Sequence, residues 1–597
     1  MFLRSTRRWK DGKEHRYWSI VESRRGTGKN PVQRQVLYLG EINDSQKAAW
    51  CRSIEVWESG SGQWRQVALF PEDRQAPELA EEVIHLRLDQ LHVERPRQWG
   101  ACWLACELWQ QLQLDSFWET RLPPSREGTD WLRMLKTLVA YRLIDPGSEW
   151  KLQREWYHHT AMGDLLDRSR DAIELHSLYR CLDKLLAHKE DLFHFLSERW
   201  RDLFHAGYEV LLYDLTSTYF ECDPPGAGKR RYGYSRDKRP DCVQVVIALV
   251  ITPDGLPLAY EVMAGNTSEK TTLRTFLQRI EQRYGKANRT WVMDRGVPTE
   301  EVLREMREAP GSMSYLVGTP RGRLTRLEKE FLKLPWIRVK DFVEVKLLPQ
   351  QGELYILALS QGRQQKERAM RRRRLKQLWK RLHELQRQKL SRDDLLLKLG
   401  AAKADAGNAW RLVAIGVPAA GENAGSESFT FSLRKDKLRA AIRSEGRYLL
   451  RSNDLSGADP AVLWQRYIQL TQIEEVFRNL KGDLAIRPIH HRTDARIEAH
   501  IFVAFLAYCL HVTLQQRLRA LAPGLTSRAV IEKLSAIQMV DIVLPATDGR
   551  VLILPRYTQP EQDHLLLLQQ LHLVLPAQPP PQISSQSESL ATEASAM

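Results

Sequence analysis

The chain of 597 residues is poor in three things, and each shortage excludes a class of protein. It has no long hydrophobic run. The longest unbroken apolar stretch, Ile501 to Leu510, is bracketed by His500 and His511 and falls short of the roughly 20 residues that cross a bilayer. It reads as a buried helix, and no membrane partner is expected. Cysteine is sparse: seven residues, an odd number with no C-x-x-C pair, which excludes a disulfide framework and a cysteine zinc site. Cys102 and Cys106 lie one helical turn apart with no second pair to match, so they read as core. Acid is in deficit, 74 Asp+Glu against 89 Lys+Arg, leaving a net charge of +15. The N-terminus is basic but has no apolar segment behind it, so it is no secretory signal; a cytoplasmic, nucleoid-associated location is expected. With 43% apolar and 27% charged residues, the composition is that of a folded chain of several units.

The excess positive charge is concentrated. Between Arg363 and Arg392 there are 13 Lys/Arg against only Glu367 and Glu384, including the run Arg371, Arg372, Arg373, Arg374. Leu375, Leu378, Leu382 and Leu385 recur at 3, 4, 3 spacing, which predicts a helix with a narrow apolar stripe and a basic outer face. Leu395, Leu396, Leu397 and Leu399 supply a second helix to pack on it. So dense a charge suits a phosphate backbone. A second basic segment, residues 229–239, interleaves six cations, among them Arg236, Lys238 and Arg239, with Tyr232 and Tyr234. That mixture suits phosphate contact combined with base stacking.

Pattern changes along the chain suggest the organisation. Residues 1–98 form an N-terminal region with a β-hairpin over about 16–42, turning at Gly26 to Pro31. Residues 99–207 form a helical, DNA-binding domain, with turn chemistry at 143–148 and an N-cap at Ser148. Residues 208–320 are the first part of a mixed α/β core, 321–460 an insertion carrying strands and the basic helical hairpin, and 461–520 the second, helical part of the core. A C-terminal region, 521–576, precedes a Pro/Ser-rich tail, 577–597, read as disordered.

Acidic residues that close apolar strands are costly unless a metal or a cation offsets them. Asp214 follows Val210 to Tyr213, and Asp294 follows Trp291 to Met293, so both carboxylates are expected at neighbouring strand ends. Two such oxygen ligands suit Mg²⁺. A third is offered by the segment 467–481. At ~100° per residue, a helix there places Tyr467, Glu474 and Lys481 within about 20° of one another, with Arg478 to one side. Leu470, Ile473, Phe477 and Leu480 form the adjacent apolar face, so Glu474 is expected at the edge of the buried side and Glu475 further towards solvent. Taken alone, Glu474 would simply pair with Arg478 at i, i+4.

Together these residues resemble the DDE transposases of bacterial insertion sequences, in the IS-four-like group marked by a Y-x2-R-x3-E-x6-K signature. Asp214 in Tyr-Asp-Leu-Thr-Ser-Thr-Tyr-Phe-Glu, Asp294 in Met-Asp-Arg-Gly, and Tyr467, Glu474 and Lys481 carry the likeness, which runs from about residue 130 to about 515. The signature arginine is Leu470 here. The resemblance implies a ribonuclease-H-like core interrupted by a long insertion. Asp214, Asp294 and Glu474 are then catalytic and coordinate two Mg²⁺, with Mn²⁺ as a substitute. Tyr467, Lys481, Arg478 and Arg295 contact DNA near the site, with Arg236, Lys238, Arg239 and Arg371 to Arg374 further out. The expected partner is double-stranded DNA, both element ends and target, bound by a homodimer on paired ends, with no small-molecule substrate. The implied activity is cleavage at the terminal repeats followed by strand transfer. A nuclease of the same fold without strand transfer, or an inactive DNA-binding derivative, remains open at this point.

Overall fold

The computed structural model describes residues 2–10, 13–24, 32–40, 54–58, 63–67, 84–167, 173–222, 224, 227–237, 239–267, 273–274, 276–278, 280–281, 289–294, 297–308, 313–319, 321–388, 390–419, 428–455 and 459–585. Two compact units emerge. One comprises Met1–Lys189, Gly482–Ala485 and Ala495–Met597, the other Glu190–Lys481 and Ile486–Asp494.

The first unit opens with an antiparallel sheet of β1 (Phe2–Lys10), β2 (Lys13–Arg24) and β3 (Val32–Gly40), in that order. The expected hairpin is the β2–β3 pair, and β1 adds a third strand to it. Its turn, Gly26 to Pro31, lies outside the described residues. Helices Gly100–Gln111, Trp131–Ile144 and Leu175–Leu185 follow. Their 3 to 4 spacing buries Trp103, Trp109, Leu135, Leu138 and Val139. Ser148 caps as expected, its hydroxyl accepting from the Lys151 N–H at 3.2 Å. Cys102 is fully buried and the Cys106 thiol is pushed up to about 12 by burial, as befits core thiols. Helix Asp494–Leu521 is long and apolar enough to cross a membrane, yet nearly all of its apolar stretch is buried inside the fold. The tail departs from expectation at its start. Gln582–Ser585 pairs with Arg550–Ile553 and extends a sheet through Gln538–Pro545 to His92–Gln98. An open edge at Arg550–Tyr557 gives those residues a backbone partner that side-chain periodicity does not reveal. The rest of the tail lies outside the described residues.

The second unit is built on nine strands: β4 (Val210–Phe220), β5 (Val243–Ile251), β6 (Pro257–Ala264), β7 (Thr290–Met293), β8 (Ser314–Thr319), β9 (Ile337–Lys340), β10 (Val343–Gln350), β11 (Glu353–Ser360) and β12 (Arg447–Ser452). They run side by side in the order β6-β5-β4-β7-β8-β12-β11-β10-β9. The first three are antiparallel, while β4, β7 and β8 are parallel. That five-strand arrangement is the mixed sheet of a ribonuclease-H-like core. The segment read as an insertion does not stand apart from it. Four of its strands, β12, β11, β10 and β9, continue the same sheet in antiparallel fashion from β8, covering an edge that would otherwise present unpaired backbone.

The basic hairpin leaves this sheet as helix α1 (Gln361–Arg387) and returns as α2 (Arg392–Ala406). Ser360 and Ser391 cap the two, accepting from the backbone N–H of Arg363 and of Asp394. The hairpin has its own small core, in which Leu378, Leu382 and Leu385 meet Leu395, Leu399 and Phe429. Leu396 and Leu397 point outwards instead, since only i, i+4 neighbours share a helix face. The helical stretch expected from 461 to 518 is divided into α3 (Pro460–Ile468), α4 (Leu470–Lys481), an irregular segment, and the long helix described above. Asp459 caps α3 through the Ala461 N–H at 2.9 Å.

Candidate active site

The apolar run of β4 buries Leu211, Leu212 and Tyr213 completely. Strand β7 is shorter and pairs with it in parallel from Thr290↔Val210 to Met293↔Tyr213. The next residue on each strand is a carboxylate, Asp214 and Asp294, so the register sets the two acids side by side where β7 ends. Asp214 itself is not at a strand end as expected. It lies in mid-strand, because β4 continues to Phe220 against β5, with Asp214 opposite Leu249. Its side chain is 18% exposed, and the Arg236 guanidinium stands 3.6 Å away.

The segment 467–481 differs from the single helix expected. Gln469 separates α3 from α4, and the Thr471 hydroxyl donates to the Ile468 carbonyl at 2.8 Å, a local bond that competes with the helical ladder. Tyr467 and Glu474 therefore sit on different helices. The burial argument for Glu474 also fails: Glu474 is exposed, whereas Glu475 is half-buried and pairs with Arg478 at 3.5 Å. The pairing expected at i, i+4 is thus replaced by one at i, i+3. Glu474 is exposed because it faces a cavity of about 330 Å³ whose walls include Asp214, Asp294 and Tyr467. Three carboxylates from β4, β7 and α4 converge there, and their oxygen donors suit a hard divalent cation.

Two cations share the cavity with the acids. Arg363, from the first turn of α1, and Arg447, from β12, line the same cavity. Tyr448 stacks on Tyr467 with ring centroids 5.9 Å apart and carries the Arg363 guanidinium 5.1 Å from its ring centre. Trp464 Nε1–H donates to the Tyr448 hydroxyl. None of these groups except Tyr467 is legible in the sequence as a site residue, because strand pairing across more than a hundred residues brings them there.

Outside the cavity lining, Lys481 at the end of α4 donates to Asp237 Oδ1 at 2.8 Å, and Arg487 pairs with the same oxygen. The Asp237 side chain is 5% exposed and Lys481 only 13%. Burial lowers the Lys481 ammonium from its usual range, and Asp237 partly restores it. Arg239 is engaged by Asp241 and Glu221 at 3.0 Å each and lies over the Tyr219 ring. A sequence reading takes this loop for a set of cations and misses that Asp237 and Glu221 anchor it. Lys238 and Arg295 lie outside the described residues. In α1, Arg372 and Arg373 are exposed and Arg374 is half-buried, while Arg371 is bound at 2.5 Å by the buried Glu445. His564 has both ring nitrogens engaged, by the Glu561 N–H and the Lys533 carbonyl, so the group of Glu561, Asp563 and His564 is a helix cap and not a metal site. Burial lowers the His511 imidazole to about 4.

The mixed sheet thus sets carboxylates around one cavity, a donor set that suits a divalent cation. Residues 205–510, a little over half of the chain, match the transposase DDE domain, and the chain belongs to that family. Residues 3–55 match the N-terminal domain of IS1634 family transposases, which makes it an insertion-sequence transposase. No curated protein matches it. Among solved structures it is similar to the piggyBac transposase in a synaptic complex with hairpin DNA. The identity is 9% and the TM-score 0.33, over 75% of this chain and 82% of that one. As a DDE transposase the protein acts on DNA and uses divalent metal.

Proposed function

We propose that this transposase cleaves DNA at the ends of its own element and joins the freed 3′ ends to target DNA, with Asp214, Asp294 and Glu474 as its catalytic carboxylates. The observation that carries this reading is the convergence of the three on one cavity from β4, β7 and α4. Asp214, Asp294 and Glu474 would hold two Mg²⁺, which when bound would supply an activated nucleophile and charge stabilisation for the leaving oxygen. Three carboxylates by themselves repel a phosphodiester; two divalent ions convert a formal −3 to +1, which attracts it. In the first step water attacks the scissile phosphorus, the bond to the 3′ oxygen breaks, and a 3′-hydroxyl and a 5′-phosphate result. In the second, that hydroxyl attacks a target phosphodiester, one P–O bond replacing another, with its proton passing to solvent. No high-energy cofactor is consumed.

The chain's own side chains position the strand. Arg363 and Arg447, which line the same cavity as the acids, would meet its phosphates, and the stacked Tyr448 and Tyr467 offer a flat apolar surface. Arg478 and Arg236 would meet flanking phosphates, with Arg239, Arg372 and Arg373 further out, while Lys481, held by Asp237 and only 13% exposed, positions the end of α4 instead of the strand. Arg236, 3.6 Å from Asp214, would be free to meet a phosphate if that carboxylate held a cation. In this reading the enzyme works in the bacterial cytoplasm as a homodimer on paired ends. The test is cleavage of an end-labelled duplex carrying the element's terminus, with Mg²⁺ or EDTA, by the intact protein and by Glu474→Gln. Metal-dependent nicking at the terminus, lost in the variant while binding persists, supports the assignment. Nicking that survives Glu474→Gln refutes it, and nicking without joined product reduces the function to a nuclease.

A further inference from the structure

The register of the N-terminal sheet leaves part of its central strand uncovered. β3 follows β2 only from Trp18↔Gly40 to Arg24↔Val32, whereas β1 accompanies it from Phe2↔Val21 to Lys10↔Lys13. Residues 6–10 and 13–17 therefore run on past β3 as a two-stranded ribbon, about 17 Å long at ~3.3 Å per residue. A ribbon of two strands is marginal in water without a surface to pack on. Side chains alternate between its faces, and Arg7 and Arg8, on opposite faces, are both exposed, as are Arg4 and Thr6. Trp9 is 74% exposed. The segment 6–17 holds Arg7, Arg8, Lys10, Lys13 and Arg16 against Asp11 and Glu14. Its backbone register sets Arg7 opposite Arg16, so basic residues lie on both strands, and a segment with this excess of positive charge gains stability from a polyanion.

We propose that this ribbon is a DNA-docking arm that enters the major groove of a duplex, a recognition element additional to the helical domain expected over residues 99–207. The major groove is about 12 Å wide and 8.5 Å deep and admits a two-stranded ribbon. With an arginine on each face, the ribbon presents one cation to each phosphate wall, and the exposed Trp9 packs on the sugar edge. The inference rests on the reading of the chain as a transposase, but not on its catalytic residues.

The experiment uses the full-length protein and two fluorescent duplexes of equal length, one carrying the element's terminus and one scrambled, with affinity followed against NaCl. Arg7→Gln/Arg8→Gln is expected to reduce the log–log salt slope by close to 2, at about 0.9 for each phosphate no longer neutralised. Arg7→Lys/Arg8→Lys should restore it. Trp9→Ala should weaken binding about tenfold with little change in slope, because stacking on nucleic acid contributes without counterion release. A readout independent of variant folding is amide hydrogen exchange of the unaltered protein, in which residues 6–17 should gain protection when duplex is added. An unchanged slope in the glutamine variant together with no added protection would overturn the arm, as would protection by an acidic polypeptide but not by duplex. If the slopes shift as expected while Glu474→Gln still cleaves, the arm stands and the catalytic assignment falls.

Discussion

Asp237→Asn isolates the electrostatic anchor at the end of α4. The carboxylate is 5% exposed and holds Lys481, itself 13% exposed, and Arg487, 28% exposed. Asparagine keeps the shape and an acceptor but removes the charge, leaving two cations around a nearly dry position. Breaking a buried ion pair by neutralising one partner costs about 3–5 kcal/mol. Arg487 retains some solvent, so the lower end, about 3 kcal/mol, is the expected loss. Burial already lowers the Lys481 ammonium, and Asp237 works against that, so the substitution lowers it further. A lysine whose folded value lies below its unfolded one contributes stability above the unfolded value and loses it as pH falls through the folded one. The deficit of Asp237→Asn should therefore be largest near neutrality and shrink as pH rises towards the ordinary lysine range. Urea unfolding at several pH values measures this, with Lys481→Met and the double variant closing a cycle. Loss below about 1 kcal/mol with additive single effects would refute the coupling.

Other expectations follow from the same geometry. Asp214→Asn and Asp294→Asn should each abolish nicking and weaken Mn²⁺ binding at least tenfold by electron paramagnetic resonance, while leaving duplex affinity at low salt unchanged. Glu445→Ala removes the buried partner of Arg371 and Arg368 at the root of α1 and should cost about 3 kcal/mol in urea unfolding. Leu382→Ala, in the small core of the helical hairpin, should cost about 2–5 kcal/mol, visible as faster proteolysis between residues 361 and 406. Among the described cysteines only Cys222 is exposed, so Cys222→Ser should remove a fast-reacting thiol while Cys102 and Cys106 stay silent until unfolding.

The parts that sequence discloses are those governed by local pattern. Apolar runs ending in acid mark Asp214 and Asp294, because a buried strand has little reason to carry a carboxylate without a function. The leucine spacing of α1 and the cap at Ser148 are equally local. What stays hidden depends on pairing at a distance. Nothing near Arg447 announces that β12 will lie between β8 and β11, yet that placement delivers Arg447 and Tyr448 to the cavity. Side-chain chemistry misleads in one place: ideal helical angles assume an unbroken helix through Gln469, which the Thr471 hydroxyl interrupts. The edge-of-core argument then puts Glu474 on the drier side, whereas it is the open cavity that exposes it.

The interleaving of β12 between β8 and β11 also governs when the enzyme comes into being during synthesis. β8 leaves the ribosome well over a hundred residues before β12, and at ~5–20 residues per second that interval is on the order of ten seconds. Throughout it β8 waits with one edge unpaired, and α4, which brings Glu474, follows β12. On the proposed assignment a nascent chain has no complete acid site until everything between has been made and threaded into the sheet, so a message or polypeptide cut short anywhere in that span is expected to yield a product without nicking activity.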